Sequence, residues 1–172
     1  MSIQVGERTH HTMVDDNGEQ PKWLSRDEQQ TWRAYIDGSQ RLLGMLNRDL
    51  TDDAKLSLGD FRILVLLSES PTGAVRMSEL ADGIVASRSK LTHQVRRMEE
   101  QNLVKRESCA DDGRGVFAHI TDQGRAALRD AASHHVSSVR EYFIDLLDPA
   151  DLKALRKIFE KVDAHLIDQQ RR

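Results

Sequence analysis

One cysteine occurs in 172 residues, Cys109, which excludes an internal disulfide framework. No run approaches the roughly 18 apolar residues that a membrane span requires. The opening residues, Met1 to His11, lack the basic-then-apolar pattern of a secretory signal. The simplest expectation is a protein of the reducing cytoplasm with no membrane partner. A nucleophile elbow, a phosphate-binding glycine loop and a His-Glu-x-x-His helix are also missing. The adjacent acids Asp111 and Asp112 sit on an expected loop tip, a poor place to hold catalytic geometry. No catalytic residue, cofactor or metal site is therefore expected, and the chain does not read as an enzyme. Excess positive charge is lacking too, since 25 Lys and Arg against 28 Asp and Glu give a net charge of −3. If the chain binds nucleic acid, its basic residues must be concentrated locally. Apolar residues make up only 38% and charged residues 31%, a balance that suits long, partly exposed helices.

The local concentration lies within Met77 to Thr121. Ser78 can cap a helix through Glu79, Leu80, Ala81 and Ile84, and Gly83 predicts that this helix is short. Ser87 offers a second cap. Leu91, Val95 and Met98 then fall at i, i+4 and i+7 on one face, and Arg88, Ser89, Lys90, Thr92, His93, Arg96 and Arg97 lie off it. Between Ser87 and Arg97 there are four Lys or Arg residues and no acid. Hydroxyls at the start of such a helix suit base edges, Arg can bind guanine with two hydrogen bonds, and Lys90 and Arg97 suit phosphates. An ordinary amphipathic helix with a solvated basic face explains the helix alone equally well. Next come two expected strands, Val104, Arg106 and Ser108 facing Val116, Ala118 and Ile120, joined by Ala110 to Gly115. Glycines at 113 and 115 permit a tight tip. Arg114 on that tip fits a minor groove, with Asp112 supporting it through a charge-assisted hydrogen bond. Helix, turn, helix and hairpin in this order form the layout of a winged helix-turn-helix.

These residues resemble the DNA-binding core of the multiple-antibiotic-resistance regulator (MarR) family. The likeness rests on Met77-Ser78-Glu79-Leu80-Ala81, on Ser87 and Ser89 with Leu91-Thr92, on Leu103-Val104, on Asp112-x-Arg114-Gly115, and on Ile120-Thr121-x-x-Gly124. It extends more loosely from about Trp23 to Leu166. The resemblance implies a dimeric regulator of transcription, in most members a repressor, that binds a pseudo-palindromic operator in double-stranded DNA and is released by a small molecule. A winged-helix interaction module without specific DNA binding is the alternative.

The flanks read as helices. Residues 1–22, with His10 and His11, are polar and form an expected mobile arm. Ser25 to Glu28 is a capping box opening a helix to about Leu50, with Trp32, Tyr35, Ile36, Leu42, Leu43, Leu46 and Leu50 as its stripe. Asp49, Asp52 and Asp53 oppose the dipole at its end, so fraying is expected near Thr51. Ser57 to Asp60 is a second capping box before the apolar run Phe61 to Leu67, which reads as the centre of the core. Pro71 to Gly73 stops that helix, and Val75 and Arg76 suit a short strand paired with the wing. Thr121 opens a helix to about Leu147, with His134 and His135 too divergent on it to form a metal site. Asp148 and Pro149 restart the chain. Leu152, Leu155, Phe159, Val162 and Leu166 then form a seam that needs a partner. The expected organisation is a DNA-binding domain over 51–121 and a helical dimerisation region from 23–50 and 122–172.

The family resemblance places an effector between these two parts, with Trp32 and Phe61 as candidate lining residues, although both suit a plain core equally well. A urate-binding branch of the family uses a Trp in the first helix and an acid just after the position of Phe61. This chain has Trp32 but Arg62, which points away from urate; Arg62 could attract an anionic phenolic or carboxylic ligand, or equally be a solvated surface residue. The redox-sensing branch carries its reactive cysteine near the first helix, where this chain has none, so Cys109 is not expected to be a sensor.

Overall fold

The computed structural model describes residues 22–84, 86–108 and 115–170. In chain order these form α1 (Arg26–Ala54), α2 (Leu58–Glu69), β1 (Ala74–Arg76), α3 (Met77–Gly83), α4 (Arg88–Glu100), β2 (Val104–Ser108), β3 (Val116–Ile120), α5 (Asp122–Tyr142), a 3-10 turn (Ile144–Leu146) and α6 (Pro149–Gln170). The architecture is the mainly helical winged helix-turn-helix that the sequence predicts. Its sheet has three strands in the order β1-β3-β2, the two-stranded wing joined by the short strand expected at Val75 and Arg76. The chain separates into Met1–Ser39 and Gln40–Arg172.

In the first unit, the described residues are chiefly the start of α1. The expected capping box is closed: the Glu28 N–H donates to Ser25 Oγ at 3.3 Å and the Ser25 N–H to Glu28 Oε2 at 2.7 Å. Trp32 and Tyr35 pack ring to ring at 5.8 Å with a 43° tilt.

In the second unit, α1 runs through Thr51 without fraying and stops at Ala54. The end acids each cost about 0.3–1 kcal/mol through the dipole, whereas burying a leucine contributes about 1.5–3 kcal/mol. Leu46, Leu50 and Leu56 are all buried here, so packing decides the boundary. Thr51 Oγ1 donates to the Asn47 carbonyl at 2.7 Å. Lys55, at φ 57°, turns the chain out of the helix, and its ammonium group donates to the Asp52 carbonyl at 3.0 Å.

α2 is the centre of the core, as its apolar run predicts. Ile63, Leu64 and Leu67 are fully buried against Leu80 of α3, Leu91, Val95 and Met98 of α4, Val104 of β2, Ala118 of β3 and Ala131 of α5. β1 leads straight into α3, so the cap position falls on Arg76. That corrects the expectation for Ser78, which lies inside the first turn. β2 and β3 are the two expected facing strands, and they pair Val104 with Ile120, Arg106 with Ala118 and Ser108 with Val116. β1 adds to the far side of β3, with Val75 opposite Ala118.

Thr121 caps α5, accepting the Gly124 N–H at 2.9 Å, and its own hydroxyl reaches the carbonyls of Asn102 at 2.6 Å and Leu103 at 3.1 Å. α5 ends at Tyr142 rather than Leu147, because Phe143 leaves helical geometry at φ −144° and Arg140 pairs with Asp145 across the following turn. Asp148 caps α6 as expected, its Oδ1 accepting the N–H groups of Ala150 and Asp151 at 2.7 and 2.8 Å. No described helix is long and apolar enough to cross a membrane.

Candidate nucleic-acid interface

α4 starts where its sequence predicts. Ser87 Oγ accepts the Lys90 N–H at 3.3 Å. Its end is set by Asn102 at φ 55°, with the Asn102 N–H donating to Glu99 O and the Leu103 N–H to Met98 O, both at 2.9 Å. That is a Schellman cap with Asn in the left-handed position. Leu91, Val95 and Met98 are buried, which decides the face of the helix that turns outward. Ser87, Arg88, Ser89, Lys90, Thr92, His93, Arg96 and Arg97 are exposed on its remaining surface. Thr92 Oγ1 donates to the Arg88 carbonyl at 2.7 Å, leaving its lone pairs as acceptors. Arg96 faces Glu100 at 3.4 Å with both side chains exposed. Such a pair is worth about 0.3–0.5 kcal/mol, too little to withhold Arg96 from a phosphate or base.

At the foot of the wing, Arg76, Ser78, Arg88, Thr92, Gly115 and Val116 border a cavity of about 240 Å³. The Arg76 guanidinium stands 5.2 Å from the centroid of the Phe117 ring, a cation–π contact that holds it beside the start of α4. Sequence reading placed Arg76 in a strand but not at this surface. Cys109, Asp112 and Arg114 lie outside the described residues.

Behind α4 sits a polar cluster that the spacing did not reveal. Asp60 is only 3% exposed. Besides closing the Ser57 capping box, it accepts Gln94 Nε2 at 3.0 Å and Arg97 Nη2 at 2.7 Å on each carboxylate oxygen. Burial pushes the Asp60 pKa up, but the hydrogen bonds from Ser57, Gln94 and Arg97 outweigh it and hold the carboxyl below its usual range. Arg97, expected as a phosphate contact, thus has an internal partner, although its side chain remains 54% exposed. A second tie joins the end of α4 to the sheet: the Arg106 N–H and Nε donate to the two oxygens of Glu99 at 2.9 and 2.8 Å.

The candidate ligand residues are placed as follows. Trp32 is 54% exposed on α1. Phe61 is a core residue whose ring lies 4.4 Å from that of His135. Arg62 points its guanidinium at the Gly83 carbonyl, 3.5 Å away. The cavity between α1 and α5, about 310 Å³, is bordered by Asp49, Asp53, Asp130, His134 and His135 among others. Its carboxylates repel an anion, so the expected anionic aromatic ligand does not suit it. His135 Nδ1 is buried without a hydrogen-bond partner among the described residues, and burial pushes its pKa down.

A capped, basic helix presented on a three-stranded winged scaffold defines the class of winged helix-turn-helix regulators. Comparison with known proteins gives the family. The MarR family model matches residues 56–116. AbsC, a MarR family transcriptional regulator from Streptomyces coelicolor, is 44% identical, with a TM-score of 0.82 over 86% of this chain and 99% of that one. Sco3205 from the same organism, a MarR family regulator solved in complex with DNA, is 41% identical, with a TM-score of 0.83 over 85% of this chain and 91% of that one. The HTH-type transcriptional regulator YpoP of Bacillus subtilis is 31% identical over 114 residues, 64% of this chain and 77% of YpoP. The chain belongs to the MarR family: it is a transcription regulator and not an enzyme.

Proposed function

We propose that the protein is a dimeric, sequence-specific repressor that binds a pseudo-palindromic operator and is released by a small effector. The observation that carries this reading is α4: one face is buried, and the hydroxyl and basic residues of its first turns face outward together. Ser87, Arg88, Ser89, Thr92, His93 and Arg96 are the proposed base-reading surface, with Lys90 on phosphate. Arg114, supported by Asp112, is the proposed minor-groove contact. Sco3205, 41% identical to this chain, was solved with DNA, which supports DNA binding here. The proposed division keeps 51–121 as the DNA-binding domain and 23–50 with 122–172 as the dimerisation region. Effector release follows if a ligand prefers a conformation in which the two α4 helices no longer match both half-sites.

The test is binding of purified protein to a duplex selected from a randomised library, at two salt concentrations, beside Arg114→Ala. Expected are enrichment of an inverted repeat, steep loss of affinity with salt, and a loss of about 5- to 100-fold in the variant, the worth of one good groove contact. If no sequence is enriched and duplexes are not bound even at low salt, the repressor reading fails. An interaction module without specific DNA binding then replaces it.

A further inference from the structure

We infer that Asp60 is a positioning residue for sequence reading: through Arg97 and Gln94 it sets the roll of α4 against the start of α2. The inference rests on the proposed DNA-binding role of α4. Its geometry is independent of that role.

Asp60 occupies the third position of α2, where its carboxylate and the Ser57 side chain satisfy each other's backbone N–H groups at 3.1 Å. A capping acid is ordinarily solvent-facing and has no other task. Here it is buried, and both oxygens also take Arg97 Nη2 while one takes Gln94 Nε2. Gln94 and Arg97 lie one turn apart on α4, so a single carboxylate holds two points of that helix. The fit is close: a Cβ on Gly59 would stand 2.6 Å from Gln94 Nε2. The platform is itself anchored, since the Leu58 N–H donates to Asn47 Oδ1 of α1 at 2.9 Å. Hydrophobic contacts through Leu91, Val95 and Met98 are non-directional and permit a few degrees of roll. A buried, hydrogen-bonded carboxylate does not, because any rotation leaves its charge unsatisfied. Base-edge hydrogen bonds require that angular precision and phosphate contacts do not. Because Asp60 neutralises Arg97, the pair adds no net positive charge towards the DNA backbone.

The experiment compares wild type, Asp60→Asn, Arg97→Gln, Arg97→Lys and the Asp60→Asn/Arg97→Gln double variant on two probes. One probe is the duplex selected by the wild type from a randomised library and the other is a random-sequence duplex, each titrated across salt. The readout is the ratio of the two affinities, which a mere loss of folded protein leaves unchanged. Each single variant is expected to lower the ratio about tenfold, comparable with one wrong base pair. The double variant should lose no more than either single variant. The salt slope on random duplex should stay that of wild type. Arg97→Lys keeps the charge and is the variant least prone to unfold. As Lys cannot reproduce the planar geometry of Arg, the ratio must fall for it too. The inference is overturned if Arg97→Gln reduces the salt slope by about one with the ratio unchanged, which makes Arg97 a phosphate contact. A wild-type ratio in Arg97→Lys or in folded Asp60→Asn also overturns it. Failure of the wild type to enrich any duplex is a different result and sinks the repressor reading instead.

Discussion

At the scale of single residues, buried Asp60 and half-buried His135 give the fold separate acid sensitivities. The Asp60 carboxyl is held below its ordinary value of 3.8 because its hydrogen bonds outweigh burial. The folded state therefore favours the ionised form. Its contribution is complete above the unfolded value and is lost as pH falls through 3.8 towards the lower folded value. His135 is pushed below 6.5 by burial, so the folded state favours the neutral ring. That contribution is present above 6.5 and is lost as pH falls through the folded value. Thermal melts of the wild type should thus decline in two stages, one as pH falls below about 6.5 and one as it falls through about 3.8. His135→Leu should remove the first stage and Asp60→Asn should reduce the second, to which Glu99, held below its ordinary value by Arg106, also contributes. Asp60→Asn should also cost about 2 kcal/mol at pH 7, because Arg97 loses its charged partner beside a buried site. An upper stage that survives in His135→Leu would assign it to another group.

At the scale of elements, Gly124 shows why the Thr-x-x-Gly start of α5 takes the form it does. The Thr121 hydroxyl joins α5 to the end of α4 at Asn102 and Leu103. A Cβ on Gly124 would come within 2.1 Å of the Leu103 carbonyl oxygen, a backbone atom that cannot turn aside. Gly124→Ala should therefore destabilise the protein by about 3 kcal/mol or more, read as a fall in the urea midpoint. An unchanged midpoint would mean that α5 need not pack so closely. The same contrast between local and distant causes separates what was legible in the sequence from what was not. The caps at Ser25, Ser57, Ser87, Thr121 and Asp148 are found as read, since a cap involves a few neighbouring residues. The Leu91, Val95 and Met98 face and the two facing strands β2 and β3 follow from periodicity, while their register is set by the pairing itself. The end of α1 was misjudged because acids near a terminus are visible in sequence while the burial of Leu50 and Leu56 around the turn is not. Ser78 was misread as a cap because nothing local announces that β1 enters α3 without a linker. Asp60 and Arg97 are 37 residues apart, and only the packing of α2 on α4 unites them.

At the scale of the whole molecule, α6 poses the problem that dimerisation would solve. It has 22 residues, and Ile158, Phe159, Val162, Leu166 and Ile167 are all exposed on it. Covering these five half-exposed side chains on each of two copies would contribute about half of the roughly 1.5–3 kcal/mol of a fully exposed side chain apiece, or about 8–15 kcal/mol. Association costs about 4–15 kcal/mol in lost freedom. A two-fold pairing through this stripe would therefore be of the size needed to offset the cost of association, and it would give the protein two α4 helices. For both to enter one face of a duplex, the half-site centres must lie about 34–36 Å apart or at a multiple of that distance. Val162→Glu with Leu166→Glu places two charges per copy in the stripe and should yield a monomer in sedimentation. Its affinity for the selected duplex should fall at least about 100-fold, since the second half-site then binds as a separate event rather than an intramolecular one. In the wild type, inserting five base pairs between the half-sites turns one of them by about half a helical turn and should cause a loss of the same order. A dimeric double-Glu variant would move the interface away from α6. Indifference to the insertion would show that the two half-sites are bound independently.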